Sequence, residues 1–408
     1  MDYIKITLKP GKEDSFHRFH PWVFSGAIYR FEKQPEEGDI VKVTDHQGNF
    51  IGIGQYQIGS IAVRILTFKQ EEINEQFYFK RLQEAYNVRL SLGLLNGEYN
   101  NTCRLVHGEG DNLPGLIIDL YNKTAVMQAH TPGMHYARHQ IAQALKSVLG
   151  NTIDNIYYKS ETTLPYKAEL DAENEYLLGG DAPNIATENG LKFYVDWVRG
   201  QKTGFFVDQR ENRALLERYA HGRSVLNMFC YTGGFSFYAM RGNAKLVHSV
   251  DSSSKAIDLT CKNVELNFPG DNRHQAFSED AFKFLDTMGD QYDLIILDPP
   301  AFAKHKKVLN NALQGYRKLN AKAFEKIRPG GILFTFSCSQ VVSKENFRLA
   351  VFSAAAQSGR NVRILHQLTQ PADHPVNIYH PEGEYLKGLV LYVAVSYTHL
   401  RAHETELH

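Results

Sequence analysis

Three stretches of this chain combine residue types and spacings that could do chemistry. The first, Tyr292-Asp293-Leu294-Ile295-Ile296-Leu297-Asp298-Pro299-Pro300, is an apolar run ending in a carboxylate and two prolines. Proline has no N–H to give a ladder, so a strand must stop there and leave Asp298 at its open end. The second, Gly331-Ile332-Leu333-Phe334-Thr335-Phe336-Ser337-Cys338-Ser339, ends the same way in a cysteine between two serines. A lone buried cysteine usually serves as a small hydrophobe. At a strand's carboxyl end, one strand from Asp298, Cys338 becomes a candidate nucleophile. The third is the loop Asn227-Met228-Phe229-Cys230-Tyr231-Thr232-Gly233-Gly234-Phe235-Ser236, where a strand gives way to a helix.

Cys338 and Asp298 suit one reaction. A thiolate adds to C6 of cytosine, the activated C5 attacks a sulfonium methyl, and loss of the C5 proton lets the thiol leave. Without that addition cytosine C5 is a poor nucleophile. Asp298 would engage N3 and stabilise the charge that develops there. The base would have to be unpaired or flipped to reach such a pocket.

Glycines in the loop let backbone approach a ligand, and the helix start offers free N–H donors. The spacing is neither GxGxxG nor GxxxxGK[ST], which weighs against a dinucleotide and a nucleoside triphosphate. S-adenosylmethionine, a nucleoside without phosphate, stays open. Asp251 ends the next strand, where a ribose diol would be gripped. Asp280, near the end of the third, could hydrogen-bond an adenine amine or simply cap a helix.

The elements that must position these groups alternate. From Ser224 on, strands at 224–229, 246–251, 292–297, 331–336, 362–368 and 388–393 interleave with helices, which predicts right-handed crossovers and a doubly wound, mostly parallel sheet. Ahead of it, Leu191–Asp196 and Gly204–Asp208 read as a hairpin-like stretch leading into a helix. Residues 73–187 read as a central α+β domain, with helices at 71–91 and 137–148 and strands near 103–107, 116–120, 125–129 and 155–159. Residues 1–72 read as a small barrel of strands at 3–8, 38–43, 50–54 and 62–66. Between its first two strands lies His20-Pro21-Trp22-Val23-Phe24-Ser25-Gly26, a hydrophobic anchor or a nucleic-acid contact.

Size and composition set outer limits. The 408 residues are 43% hydrophobic and 22% charged, which excludes a disordered chain and implies more than one domain. No apolar run spans a bilayer and the start lacks a signal peptide, so no membrane partner and a cytoplasmic location are expected. Four cysteines without metal spacing predict neither a disulfide scaffold nor a metal site. Forty-five basic residues balance forty-five acidic ones, so an RNA partner would be held by local patches. Candidates are Lys304-His305-Lys306-Lys307 and Arg317-Lys318. Residues 395–408, polar and His-rich, resemble a translated adapter.

Together the His20–Gly26 anchor, the block Gly204-Phe205-Phe206-Val207-Asp208-Gln209-Arg210-Glu211-Asn212-Arg213, the Asn227–Gly233 loop, Asp298-Pro299-Pro300 and Ser337-Cys338-Ser339 resemble the ribosomal RNA large subunit methyltransferase I family over residues 1–394. The resemblance implies an α/β multidomain protein. It would have an N-terminal PUA-like β-barrel (1–72), a central domain (73–187) and a C-terminal Rossmann-like class I methyltransferase domain (188–394). It implies S-adenosylmethionine as cofactor, 5-methylcytosine in 23S rRNA as product and Cys338 as nucleophile. The cofactor would lie near Phe205, Asp208, Gln209, Arg213, Asn227, Phe229, Tyr231, Gly233, Asp251, Ser252, Asp280 and Asp298. Many RNA cytosine-5 methyltransferases carry a Pro-Cys where this chain has Asp298-Pro299-Pro300, so the base that removes the C5 proton is unnamed.

Two other readings stand beside this one. In the first the scaffold methylates guanine N7 or an exocyclic amine and Cys338 is packing. In the second the chain is a non-catalytic RNA-binding assembly factor. A homodimer is left open.

Overall fold

The computed structural model describes residues 3–165, 170, 173–180, 183–303 and 305–396. Lys304 and the tail beyond Ser396 lie outside them. The fold is multidomain α/β, and its contacts gather into two compact units.

The first unit comprises residues up to Gly190, Val195–Val207 and Ala372–Gly383. It opens with a six-stranded sheet in the order 22–24, 61–67, 50–56, 40–44, 4–8, 28–31. Alternate side chains, among them Ile6, Val23, Val41, Val43, Val63 and Ile65, fill its core. Gly54 sits at a register shift against the neighbouring strand. A β-carbon there would stand 2.3 Å from the Arg64 carbonyl, so only glycine permits that approach. Trp22–Phe24 is itself a strand: Val23 is buried and Phe24 exposed, so the aromatic segment is part core and part surface. After the helix Glu75–Ser91 comes a five-stranded sheet built from 102–107, 116–121, 124–129, 155–158 and 175–178. The helix expected at 137–148 forms at Arg138–Leu149, preceded by a short helix, Pro132–Tyr136, started by a proline behind the Thr131 cap.

Contacts group this unit across the sequence in two ways. The barrel and the middle segment share one contact cluster, and a late segment, Ala372–Gly383, rejoins it. Buried polar contacts tie the late segment to it. Asp373 accepts the Arg104 amide at 2.9 Å through its carboxylate, and its carbonyl accepts Arg89 Nη2 at 2.8 Å. Arg89, fully buried, also pairs with Asp111 at 2.5 and 2.7 Å. Gly204–Asp208 forms no strand, contrary to the hairpin reading. Gly204 has φ of +118°, and Tyr121 donates its hydroxyl to the Phe205 carbonyl at 3.2 Å.

The second unit holds, among the described residues, Leu191–Tyr194, Asp208–Pro371 and Glu384–Ser396. Its seven strands are β1 (Ser224–Met228), β2 (Leu246–Asp251), β3 (His274–Ser278), β4 (Leu294–Leu297), β5 (Gly331–Ser337), β6 (Arg360–Thr369) and β7 (Lys387–Ser396). They stand in the order β3-β2-β1-β4-β5-β7-β6, parallel except for β7, which is antiparallel to both neighbours. The helices are α1 (Arg210–Tyr219), α2 (Gly234–Arg241), α3 (Ser254–Asn267), α4 (Ala281–Thr287), α5 (Leu309–Lys326) and α6 (Lys344–Ser358). Successive strand residues feed opposite faces. Val225, Val247, Leu294 and Ile296 join Leu216 of α1, Phe235 and Ala239 of α2 and Val264 of α3. Leu226, Val250, Ile295 and Leu297 join Leu285 of α4, Leu319 and Phe324 of α5 and Val351 of α6. A sheet covered on both faces binds ligands beyond its carboxyl ends, where the order reverses around β1.

Candidate active site

The strand ends build the site in two halves. Behind β1 the backbone turns sharply: Phe229 and Tyr231 hold φ of +59° and +48°, and Gly233 holds +83°. Two aromatic residues in the left-handed region are strained, and such strain persists only where surroundings over-determine it. Here Cys230 N donates to the Val250 carbonyl at 3.0 Å and Tyr231 N to Asp251 Oδ2 at 3.0 Å. Thr260 and Asn263 of α3 donate to the Tyr231 and Thr232 carbonyls at 2.9 and 2.8 Å. A β-carbon on Gly233 would stand 2.7 Å from Thr260 Cγ2, so α3 and the loop meet through that glycine.

Most of the predicted cofactor residues gather on this unit. Asn227, on β1, donates to Ser236 Oγ at 2.9 Å, while its buried Oδ1 has no hydrogen-bond partner. Asp251 ends β2 with each carboxylate oxygen taking one backbone amide, Tyr231 N and Ser253 N, and each keeps a further lone pair. Ser252 is exposed beside it. Asp280 caps α4 by accepting Lys283 N at 3.0 Å, which leaves its second oxygen for a ligand. Asp208 accepts the Tyr385 hydroxyl at 2.7 Å through Oδ2, and its buried Oδ1 is without a partner. Arg213, on α1, lies over the Tyr238 ring at 6.0 Å. Phe205 stands in the first unit, buried.

These groups fit a nucleoside sulfonium. Unpartnered buried oxygens on Asp208 and Asn227 call for hydroxyl or amine donors, and carboxylates at and just past the ends of β2 and β3 suit a ribose and an adenine.

The second half sits at β4 and β5. Gln209 donates to Asp298 Oδ2 at 3.0 Å and is itself held by Asn212 at 2.6 Å. Burial, with Asp208 adding to it, raises the Asp298 carboxyl to about 7 against the opposing pull of Gln209 and Arg213. Cys338 follows β5, half-buried, with Sγ 4.0 Å from the Pro299 carbonyl. Burial and then the nearby Asp298 and Asp208 push its thiol up to about 12.

Two functional candidates escaped the sequence. Lys387 opens β7 opposite Ser337, and its ammonium is held by the Ser339 and Val342 carbonyls at 2.5 and 2.6 Å. Burial lowers it to about 8, with Cys338 opposing. Tyr316 of α5 receives the Ser337 hydroxyl at 2.9 Å. The titration of both couples to Cys338. Neither stands near it in sequence, and only the pairing of β5 with β7 and the packing of α5 could have pointed to them.

Sheet order, switch-point loop and acidic strand ends define the class: the chain belongs to the S-adenosylmethionine-dependent methyltransferases, whose sequence profile matches residues 158–381. A PUA-like domain profile matches residues 6–68. Within that class it belongs to the ribosomal RNA large subunit methyltransferase I family. The member from Tolumonas auensis is 41% identical over 395 residues, covering 95% of this chain and 98% of its own. That from Shewanella amazonensis is 40% identical over 398 residues, with the same coverage. Among solved structures, a protein of Streptococcus mutans assigned as a SAM-dependent methyltransferase superposes with a TM-score of 0.81 at 23% identity, over 96% of this chain and all of that one. A methyltransferase complexed with SAH gives 0.82 at 24% identity and the same coverage. At those identities the two structures speak for the fold alone. S-adenosylmethionine is the cofactor.

Proposed function

We propose that this protein methylates C5 of a cytosine in large-subunit ribosomal RNA, with Cys338 as nucleophile and Asp298 as the acid facing N3. The observation that carries the reading is the placement of Cys338 and Asp298-Pro299-Pro300 at the carboxyl ends of adjacent parallel strands, the thiol sulfur 4.0 Å from the Pro299 carbonyl. S-adenosylmethionine, when bound, supplies an electrophilic methyl group. Asp251, Asp280, Asp208 and Asn227 hold its nucleoside and amino-acid ends, and the Phe229–Gly233 loop fixes its depth. Cys338 adds to C6 as Asp298 gives a proton to N3, which turns C5 into an enamine-like nucleophile. After transfer the C5 proton is removed and the thiolate leaves as N3 gives its proton back.

The RNA partner follows from the family's name and is supported by the surface. Phe19, Phe24 and Tyr29 of the barrel unit are about half exposed, as base-stacking platforms require. His305, Lys306, Lys307 and Lys318 are exposed just past the Asp298 loop, where they could hold phosphates.

One observation favours a second reading. A thiol pushed up to about 12 is a poor thiolate, as expected if Cys338 merely packs and another base is the target. Nucleoside mass spectrometry separates the two. On rRNA incubated with methyl-labelled cofactor, the proposal expects label in 5-methylcytosine that is absent with Cys338→Ala. Label in a purine, unchanged by that substitution, sinks it.

A further inference from the structure

Away from the strand ends, the first unit brings together two histidines and a glutamate from opposite ends of the chain. His20 precedes the strand Trp22–Phe24, while His380 and Glu382 lie on the returning segment Ala372–Gly383. One donor atom from each falls within 4.8 Å of the others. His20 Nε2 is 3.5 Å from Glu382 Oε1, and His380 Nε2 is 3.8 Å from Glu382 Oε2. A tetrahedral ion with bonds of about 2.0–2.2 Å spaces its ligand atoms about 3.3–3.6 Å apart. The two nitrogen–oxygen separations, each to a different oxygen of Glu382, lie at or near that spacing, and small side-chain adjustments within the 4.8 Å cluster would complete it.

A second observation is independent of that spacing. The His380 side chain is 3% exposed, its ring lies 4.2 Å from that of Trp22, and neither ring nitrogen has a hydrogen-bond partner. An imidazole buried without partners forfeits the hydration of two polar atoms. A metal bond at Nε2 removes half of that deficit. Glu382 is 46% exposed, which keeps a further coordination position open to water. Neighbouring charge is balanced: Glu109, which accepts the Trp22 indole N–H at 2.7 Å, lies 3.8 Å from Arg64.

From this geometry we infer that His20, His380 and Glu382 form a Zn2+ site that clips the returning segment 372–383 to the strand Trp22–Phe24. Two imidazoles and one carboxylate are a donor set zinc accepts readily, with water as the fourth ligand. Occupancy requires His20 to carry its proton on Nδ1, exchanging the 3.3 Å contact from the Trp22 amide for the metal bond. Binding to a site that exists only in the folded state adds to stability.

The test uses the full chain, stripped of metal by chelation and titrated with Zn2+, and with Co2+ as a spectroscopic stand-in. Melting is followed by tryptophan fluorescence, since Trp22 abuts the site. The expected result is one tight equivalent, a raised Tm and the visible bands of tetrahedral Co2+. His380→Phe, which keeps a ring against Trp22, should lose all three, and Glu382→Gln should weaken binding at least tenfold. His399, His403 and His408 of the tail are present in every variant, so binding by them would survive the substitutions. An equal stoichiometry and Tm shift in wild type, His380→Phe and Glu382→Gln overturns the inference, as does a wild-type Tm indifferent to zinc. Should His380→Phe fail to fold, the exposed Glu382→Gln decides alone.

Discussion

Burial favours the protonated form of both Asp298 and Cys338. With the carboxyl raised to about 7 and the thiol to about 12, the pair holds one proton across the range between them. Thiol with carboxylate and thiolate with carboxylic acid have the same proton count, and the second is the arrangement the proposed addition uses. The carboxyl is raised, so the two-proton, unreactive state dominates below its pKa and is lost as pH rises through it. In single-turnover assays kcat/KM should climb roughly tenfold per pH unit up to about 7 and then stay level toward pH 10. Asp298→Asn should abolish that step and lower the rate by about 10²–10⁴-fold. A step of the same midpoint persisting in Asp298→Asn would assign it to another group. The strand-end placement of Asp298 and Cys338 was legible in the sequence because each follows an apolar run. Lys387 and Tyr316 were not, because pairing and packing between distant segments bring them to Cys338.

At the scale of elements, the Phe229–Gly233 turn concentrates what the sheet can offer a ligand. Its strain is held by hydrogen bonds from Thr260 and Asn263, so α3 sets the loop's shape as much as β1 does. Gly233 is the point of closest approach. Gly233→Ala meets two obstacles: a left-handed φ costing about 1–2 kcal/mol for an L-residue, and a β-carbon 2.7 Å from Thr260 Cγ2. Affinity for S-adenosylmethionine, measured by calorimetry, should fall at least about tenfold, in line with that strain. Adding Thr260→Ser, which removes the methyl and keeps the hydroxyl on the Tyr231 carbonyl, should recover part of the loss. No recovery would mean that φ, not the α3 contact, governs the loop. The alternation from Ser224 onward made this half of the fold readable. It failed at Gly204–Asp208, where an apolar run with turn glycines mimics a strand but a positive φ and the Tyr121 hydrogen bond divert it. At Asp280 the sequence offered both a helix cap and a ligand contact, and the cap is what forms, through Lys283 N.

On the scale of the whole molecule, the chain passes between its two units five times, at 190/191, 194/195, 207/208, 371/372 and 383/384, after which it forms β7. A division by sequence order, as read from composition and periodicity, assigns each segment once and does not follow such crossings. What fixes the last excursion is the buried Arg89, shared by Asp111 and the Asp373 carbonyl 284 residues away. Such a pair is weak evidence of net stabilisation, yet breaking it leaves a carboxylate buried without its partner. Arg89→Ala should therefore destabilise the first unit by about 3–5 kcal/mol. The readout is selective, because both tryptophans, Trp22 and Trp197, belong to that unit. Urea unfolding followed by tryptophan fluorescence should show the loss. Binding of S-adenosylmethionine at low urea should persist if the second unit keeps its own sheet and cores. A shift below about 1 kcal/mol would place Arg89 among pairs that only break even, and the hold on residues 372–383 would then have to come from elsewhere on that segment, the His20, His380 and Glu382 cluster first among the candidates.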